Sequence, residues 1–134
     1  MNDFNAKVID EFRANGGKVG GPFEGATIVL LSTTGAKSGE PRTNPVVARI
    51  EGDHLYVFAS KAGAPTNPDW FHNLVANPVV TVELGTDTFE ARAVVTEGDE
   101  RERIYAAQAA DFANFAEYQA STDRVIPVVR LERI

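Results

Sequence analysis

Two short stretches of this chain place hydroxyls, cations and flexible backbone side by side. The first is Thr33-Thr34-Gly35-Ala36-Lys37-Ser38-Gly39-Glu40-Pro41-Arg42, lying between two apolar, β-rich runs. Such a loop suits an anionic group, held by backbone amides and by charge-assisted hydrogen bonds from Lys37 and Arg42. It is not a Walker loop, because the order glycine, lysine, Ser/Thr before a helix is missing and the stretch feeds a strand. The second stretch, Ser60-Lys61-Ala62-Gly63-Ala64-Pro65, repeats the recipe after the next β-rich run. Adjacent hairpin ends of one sheet would bring Lys61 near Lys37 and Arg42, so that three cations face one pocket. Taken singly, the first stretch is equally well a solvated hairpin turn, and Lys61 reads more readily as a loop lysine in water. The pair of loops is what points to a ligand.

A third group follows at once. Trp70, Phe71 and His72 come just after Asn67-Pro68-Asp69, an order that starts helices, so a ligand there would meet both free amides and aromatic surface. A Trp-Phe pair is also ordinary core. Phe112, Phe115 and Tyr118 recur every three residues and suit either a pocket wall or a buried helix stripe.

Other chemistries find few parts. The chain has no cysteine, so disulfides and thiolate chemistry are excluded, and its two histidines, His54 and His72, have no acids at zinc-ligand spacing. No metal site is expected. Ser32, Ser38, Ser60 and Ser121 lack a nucleophile-elbow setting, and Asp99-Glu100 read as a solvated helix face, so hydrolysis is set aside. Any redox chemistry must then be borrowed from a cofactor.

The net charge of −6 over 134 residues argues against nucleic acid as a partner. Residues 26–82 nevertheless balance four basic residues against four acids, which makes the middle of the chain the part least hostile to an anion. No stretch approaches a membrane-spanning length. Residues 1–15 lack the pattern of a secretory signal, and a cytoplasmic protein is expected. The length fits one domain, taken as residues 1–134, with an N-terminal helix over 1–16 and the rest of the fold over 26–134.

The elements that must position these groups follow from periodicity. Phe4, Val8, Ile9 and Phe12 have helical spacing over residues 3–15, stopped by Gly16-Gly17. Residues 18–25, with four glycines or prolines, are a loop. Residues 26–33, 41–50 and 54–60 read as an antiparallel meander. A helix capped by Asn67 should run to about residue 76. Residues 78–84 and 88–96 form a hairpin around 85–87, residues 97–110 a helix, 112–118 a further helical turn, and 125–131 a sixth strand. Six strands with mostly hairpin-length connections and flanking helices suggest a mainly β (α+β) antiparallel barrel.

The stretch from Thr33 to Pro45, with Ala59-Ser60-Lys61-Ala62-Gly63-Ala64-Pro65, Asn67-Pro68-Asp69-Trp70-Phe71-His72-Asn73-Leu74 and Asn77-Pro78, resembles the deazaflavin-dependent nitroreductase family. The tail Thr122-Asp123-Arg124-Val125-Ile126-Pro127 extends the likeness. It implies a split β-barrel like that of FMN-binding pyridoxamine-phosphate oxidases. It also implies reduced coenzyme F420 as hydride donor to a quinone, nitroaromatic or activated alkene, the chemistry being the cofactor's. Carried over residue by residue, cofactor binding falls to Lys37, Ser38, Arg42, Thr43, Asn44, Pro45, Val46 and Val47. Phe58, Ala59, Ser60, Lys61, Asp69, Trp70, Phe71, His72 and Asn73 complete that set. Ser60 and Tyr118 are implied as hydrogen-bond donors to the reacting groups, and Val47, Phe112, Phe115 and Tyr118 as the acceptor wall.

The chain departs from the family pattern in two places. Ala36 stands where many relatives have arginine, and Val47, Phe112 and Phe115 stand where nitroimidazole-reducing members carry tyrosines. Reduction of bulky nitroimidazoles should therefore be weak and quinone reduction retained. An FMN enzyme on the same barrel, and a carrier of the deazaflavin without activity, are the alternatives. The protein is expected to be a monomer or homodimer, and peripheral to the membrane if the acceptor is a lipid quinone.

Overall fold

The computed structural model describes residues 3–20 and 25–134. The side chain of Phe4, and residues 21–24 of the expected loop, lie outside it. Six strands, β1 Thr27–Thr34, β2 Pro41–Glu51, β3 His54–Phe58, β4 Val79–Leu84, β5 Asp87–Val95 and β6 Val128–Arg133, close into an antiparallel barrel in the order β1-β2-β3-β6-β5-β4. Four helices flank it: α1 Asp3–Ala14, α2 Asp69–Ala76, α3 Gly98–Asp111 and α4 Ala113–Ala120.

The apolar runs of β1 and β3 do not alternate because both faces are buried, the usual reason for a continuous hydrophobic strand. In β1, Val29 and Leu31 join the central cluster with Val57, Val82 and Leu131, while Ile28 and Leu30 pack against Ile9 and Phe12 of α1. In β3, Leu55 and Val57 enter the central cluster, and Tyr56 and Phe58 meet Ile104, Tyr105 and Phe115 of α3 and α4. On β4, Val80 and Val82 are buried and Thr81 between them is not, matching its alternating sequence. Trp70 and Leu74 of α2 belong to the central cluster.

Among the strands, β2 is paired on only one side along its first half, and that edge borders the site. β2 pairs with β1 from Pro41 to Ala48 but with β3 only from Ala48 to Glu51. Residues 41–47 thus present a one-sided backbone edge, which also tolerates Pro45 in mid-strand.

Several boundaries differ from expectation for physical reasons. β6 starts at Val128, not at 125. Ile126 instead has its carbonyl held by Arg101 (3.0 and 2.8 Å) and its amide by the Gln119 carboxamide oxygen (3.1 Å). β3 stops at Phe58, and Lys61–Gly63 form a 3-10 turn. The residue capping α2 is Pro68, because the Asn67 side chain is turned to Arg124 (2.8 Å) instead. Of the expected solvated pair, Asp99 is exposed, whereas Glu100 is only partly so, because it accepts hydrogen bonds from Tyr56 (2.8 Å) and Arg130 (2.6 Å).

Candidate functional site

Two cavities adjoin along the one-sided edge of β2, and both are lined by Asn5, Asn44 and Asp69. Their volumes, about 920 and 850 Å³, are each within the range of small-molecule sites, roughly 300–1,000 Å³. They differ in chemistry. The first is walled by Pro45, Val46, Val47, Phe58, Trp70 and the α4 aromatics, with Ser60 and Lys61 at its side. The second is lined mostly by polar and charged residues, among them Lys37, Ser38, Arg42, His72 and Asn73, together with the backbone of Gly35 and Ala36, and carries no aromatic residue besides His72.

The polar cavity is built by the loop between β1 and β2. Gly35 N–H bonds Glu40 O (2.8 Å), Gly39 N–H bonds Gly35 O (3.0 Å), and Glu40 N–H bonds Ser38 Oγ (3.1 Å), so the loop is a closed turn. Asn73, buried on α2, docks it. Its carboxamide oxygen accepts Ala36 N–H (3.0 Å) and its amide donates to Thr33 Oγ1 (3.1 Å). Lys37 makes no ion pair among the described residues, and Arg42 has only a long, exposed pair with Glu40 at 3.4 Å, worth little in water. Both cations remain available to an anion.

The apolar cavity is flanked by the turn after β3, which carries unusual backbone. Lys61 (φ 47°) and Ala62 (φ 52°) are consecutive non-glycine residues in the left-handed region. That costs roughly 1 kcal/mol each or more, and persists only where neighbours enforce it. Gly63 (φ +79°) lies so close to α4 that a Cβ would meet Tyr118 O at 2.9 Å and its Cα at 3.0 Å. Arg124 supplies the enforcement. Its guanidinium donates to Ala64 O (2.9 Å), Ala59 O (3.0 Å), Ser60 O (2.7 Å) and Asn67 Oδ1 (2.8 Å). All four acceptors are neutral, and burial lowers the Arg124 pKa from its ordinary value.

The α4 wall is aromatic. Phe115 packs edge-on against Phe58 (5.4 Å) and Tyr118 (5.3 Å), geometry that aromatic pairs favour. Tyr105 donates its hydroxyl to Phe115 O (2.6 Å), fixing the start of α4 on α3, and burial raises the Tyr105 pKa. The half-buried Tyr118 hydroxyl accepts a bond from Asn114 Nδ2 (3.0 Å), which leaves its own proton free to donate.

Most of the expected site residues line this double cavity: Lys37, Ser38, Arg42, Asn44, His72 and Asn73 on the polar side, Pro45, Val46, Val47, Phe58, Ser60, Lys61 and Trp70 on the apolar side, and Asp69 between. Phe112, Phe115 and Tyr118 line the apolar part. Three do not line either cavity. Thr43 turns toward β1, its hydroxyl 2.8 Å from that of Ser32; Ala59 is fully buried; Phe71 packs on the barrel core. The three cations are also split, because Lys61 faces the apolar cavity and bonds Thr66 Oγ1 (3.2 Å), away from Lys37 and Arg42. Sequence reasoning missed Asn5, Pro68 and Asn114 as lining residues, and missed Arg124 altogether as a bracket. An arginine in a tail with only one acid beside it, Asp123, was the available signal. Among the described residues no three His, Asp or Glu cluster as a metal site.

Comparison with known proteins shows the family. The model of the F420H(2)-dependent quinone reductase family matches residues 6–133. An F420H(2)-dependent quinone reductase of Mycobacterium tuberculosis is 38% identical over 126 residues, covering 91% of this chain and 85% of that protein. A solved F420-H2 dependent reductase superposes with TM-score 0.71 at 42% identity, covering 78% of this chain and 93% of the other. A structure described as a domain-swapped dimer gives 0.73 at 35% identity, covering 95% and 96%. A pyridoxamine 5'-phosphate oxidase-like protein of Listeria innocua, 14% identical with TM-score 0.58, shares the fold, covering 98% of this chain and 94% of its own. The matching family carries a different name from the functionally related nitroreductase family of the sequence resemblance, and the chain belongs to the F420H(2)-dependent quinone reductase family.

Proposed function

We propose that this reductase holds F420 across both cavities and presents it to a quinone at the α4 wall. The observation that carries the reading is the division of one groove into a part lined by Lys37 and Arg42 and a part walled by Phe58, Trp70, Phe112, Phe115 and Tyr118. The coenzyme has the same division, with a phosphodiester and polyglutamate tail at one end and a flat ring at the other, so the donor set fits it. When bound it supplies the hydride.

The chain's own residues bind, orient and exclude water. Lys37 and Arg42, with the amides of the 35–39 turn, hold the anionic tail. Trp70, Val47 and Phe58 give the ring apolar surface. Ser60 and Tyr118 donate hydrogen bonds where charge develops on the ring or on the acceptor oxygen. Val47, Phe112 and Phe115 close the acceptor side without the tyrosines of nitroimidazole reducers, so quinones are preferred to nitroaromatics. The chain acts as one domain in the cytoplasm, as monomer or homodimer, at the membrane surface if its quinone is a lipid.

An absorbance titration with F420 and with FMN tests the reading, followed by turnover of a quinone panel with F420H2. F420 binding with quinone reduction is expected, and FMN should not bind. Preferential FMN binding, or F420 binding without turnover of any quinone, overturns it. A Lys37→Ala variant should bind F420 about tenfold more weakly, the effect shrinking in high salt.

A further inference from the structure

We infer that Arg124 is a positioning residue that locks the cofactor-side turn 59–64 and the acceptor-side helix α4 into one rigid body, so that both are set together. The inference rests on the function proposed above for the cavity these elements wall.

The turn cannot hold its shape by local preference. Lys61 and Ala62 both occupy the left-handed region, and the turn's own bonds are only Gly63 N–H to Ser60 O (2.9 Å) and Ala64 N–H to Lys61 O (3.0 Å). Arg124 gathers three carbonyls, those of residues 59, 60 and 64, from both ends of this strained stretch, and Asn67 beyond it. A planar guanidinium has the fork to reach several acceptors at fixed angles, which an ammonium lacks.

Arg124 is in turn fastened to the acceptor wall. Its own carbonyl accepts Gln119 Nε2 of α4 (2.8 Å), and the Gln119 oxygen accepts Ile126 N–H (3.1 Å) and Arg101 Nη2 of α3 (2.7 Å). On the other side Gly63 sits directly on the Tyr118 backbone with no room for a Cβ. Ser60 and Lys61 on the turn and Tyr118 on α4 therefore share one support. A network whose polar members are all satisfied rigidifies what it joins. Losing the guanidinium frees the turn to leave its left-handed backbone and lets α4 drift from it.

The test compares wild type with Arg124→Gln and Arg124→Lys. Amide exchange of the protein without cofactor reads the turn directly. Gly63 and Ala64 amides should exchange at least about tenfold faster in both variants, with β1 and β4 amides unchanged. In turnover with F420H2 and a soluble benzoquinone, kcat/KM should fall about a hundredfold in Arg124→Gln, with a smaller loss in Arg124→Lys, as expected for misplaced groups. Exchange at residues 63 and 64 unchanged in the folded variants overturns the inference, as does normal kcat and KM accompanied only by a lower Tm. If Arg124→Gln does not fold, Arg124→Lys, which keeps the charge and stem, decides on the same readouts. Failure of wild type to bind F420 would sink the proposed function alone, because the exchange measurement needs no cofactor.

Discussion

Replacing Asn73 by alanine separates the dock of the anion-binding turn from the turn itself. The wild-type side chain makes two bonds, accepting from Ala36 N–H at 3.0 Å and donating to Thr33 Oγ1 at 3.1 Å, and it is itself buried. Thr33 is buried too, so its hydroxyl loses a partner with no water to replace it; the exposed Ala36 amide is rehydrated. One orphaned buried group and one ordinary bond amount to about 2–3 kcal/mol of lost stability. The turn's internal bonds survive, so it stays formed but is no longer pressed against α2. Tail binding must then restore that docking. If the docked fraction falls to about a tenth, F420 affinity drops about tenfold, or about 1.4 kcal/mol. Urea unfolding gives the first number and fluorescence titration of F420 the second. Thr33→Val is the control, removing only the bond to Thr33. It should cost about 1–2 kcal/mol of stability with nearly native affinity. If Asn73→Ala loses stability yet binds F420 within twofold of wild type, Asn73 is a core polar residue and the docking reasoning is wrong.

Tyr118→Phe should lower kcat/KM for quinones about tenfold, the worth of one hydrogen bond to developing charge, while F420 affinity stays native; unchanged turnover would show the hydroxyl faces away from the acceptor. Restoring tyrosines with Val47→Tyr and Phe112→Tyr should raise reduction of a nitroimidazole relative to a quinone, measured by substrate competition, and a fall in that ratio contradicts the wall assignment. Phe115→Ala should cost about 3–5 kcal/mol in chemical denaturation, because Phe115 is buried between Phe58, Tyr105 and Tyr118. Hydrogen bonds from Arg130 and then Tyr56 hold the Glu100 carboxyl below its ordinary pKa. A depressed folded pKa stabilises above the unfolded value and is lost as pH falls through the folded one. Wild type should therefore lose Tm below about pH 4.3 relative to Glu100→Gln, and parallel melting curves from pH 7 to pH 3 would refute this.

Much of the frame is legible in the sequence because it rests on local rules. The spacing of Val8, Ile9 and Phe12, the alternation of Val80 and Val82 and the turn after Leu84 each fix an element from its own residues. The two loops around Lys37 and Ser60 announce a polar site through composition. Legibility fails where a residue's partner is distant. Composition could not tell that Lys61 faces the apolar cavity while Lys37 and Arg42 face the polar one. Nor could it tell that Thr43, Ala59 and Phe71 turn from the groove that neighbouring residues line. Glu100 read as solvated because its partners, Tyr56 and Arg130, lie on other elements.

The sequence by itself determined which segments form strands and helices, which loops are rich in anion-binding groups, and which family pattern the chain carries. Only the tertiary structure decided how the site is held. Arg124 reaches carbonyls 60 to 65 residues earlier, and Asn73 reaches back 37 residues to Ala36. Bonds of that separation depend on the closed barrel, which brings together partners that no local rule of the sequence relates.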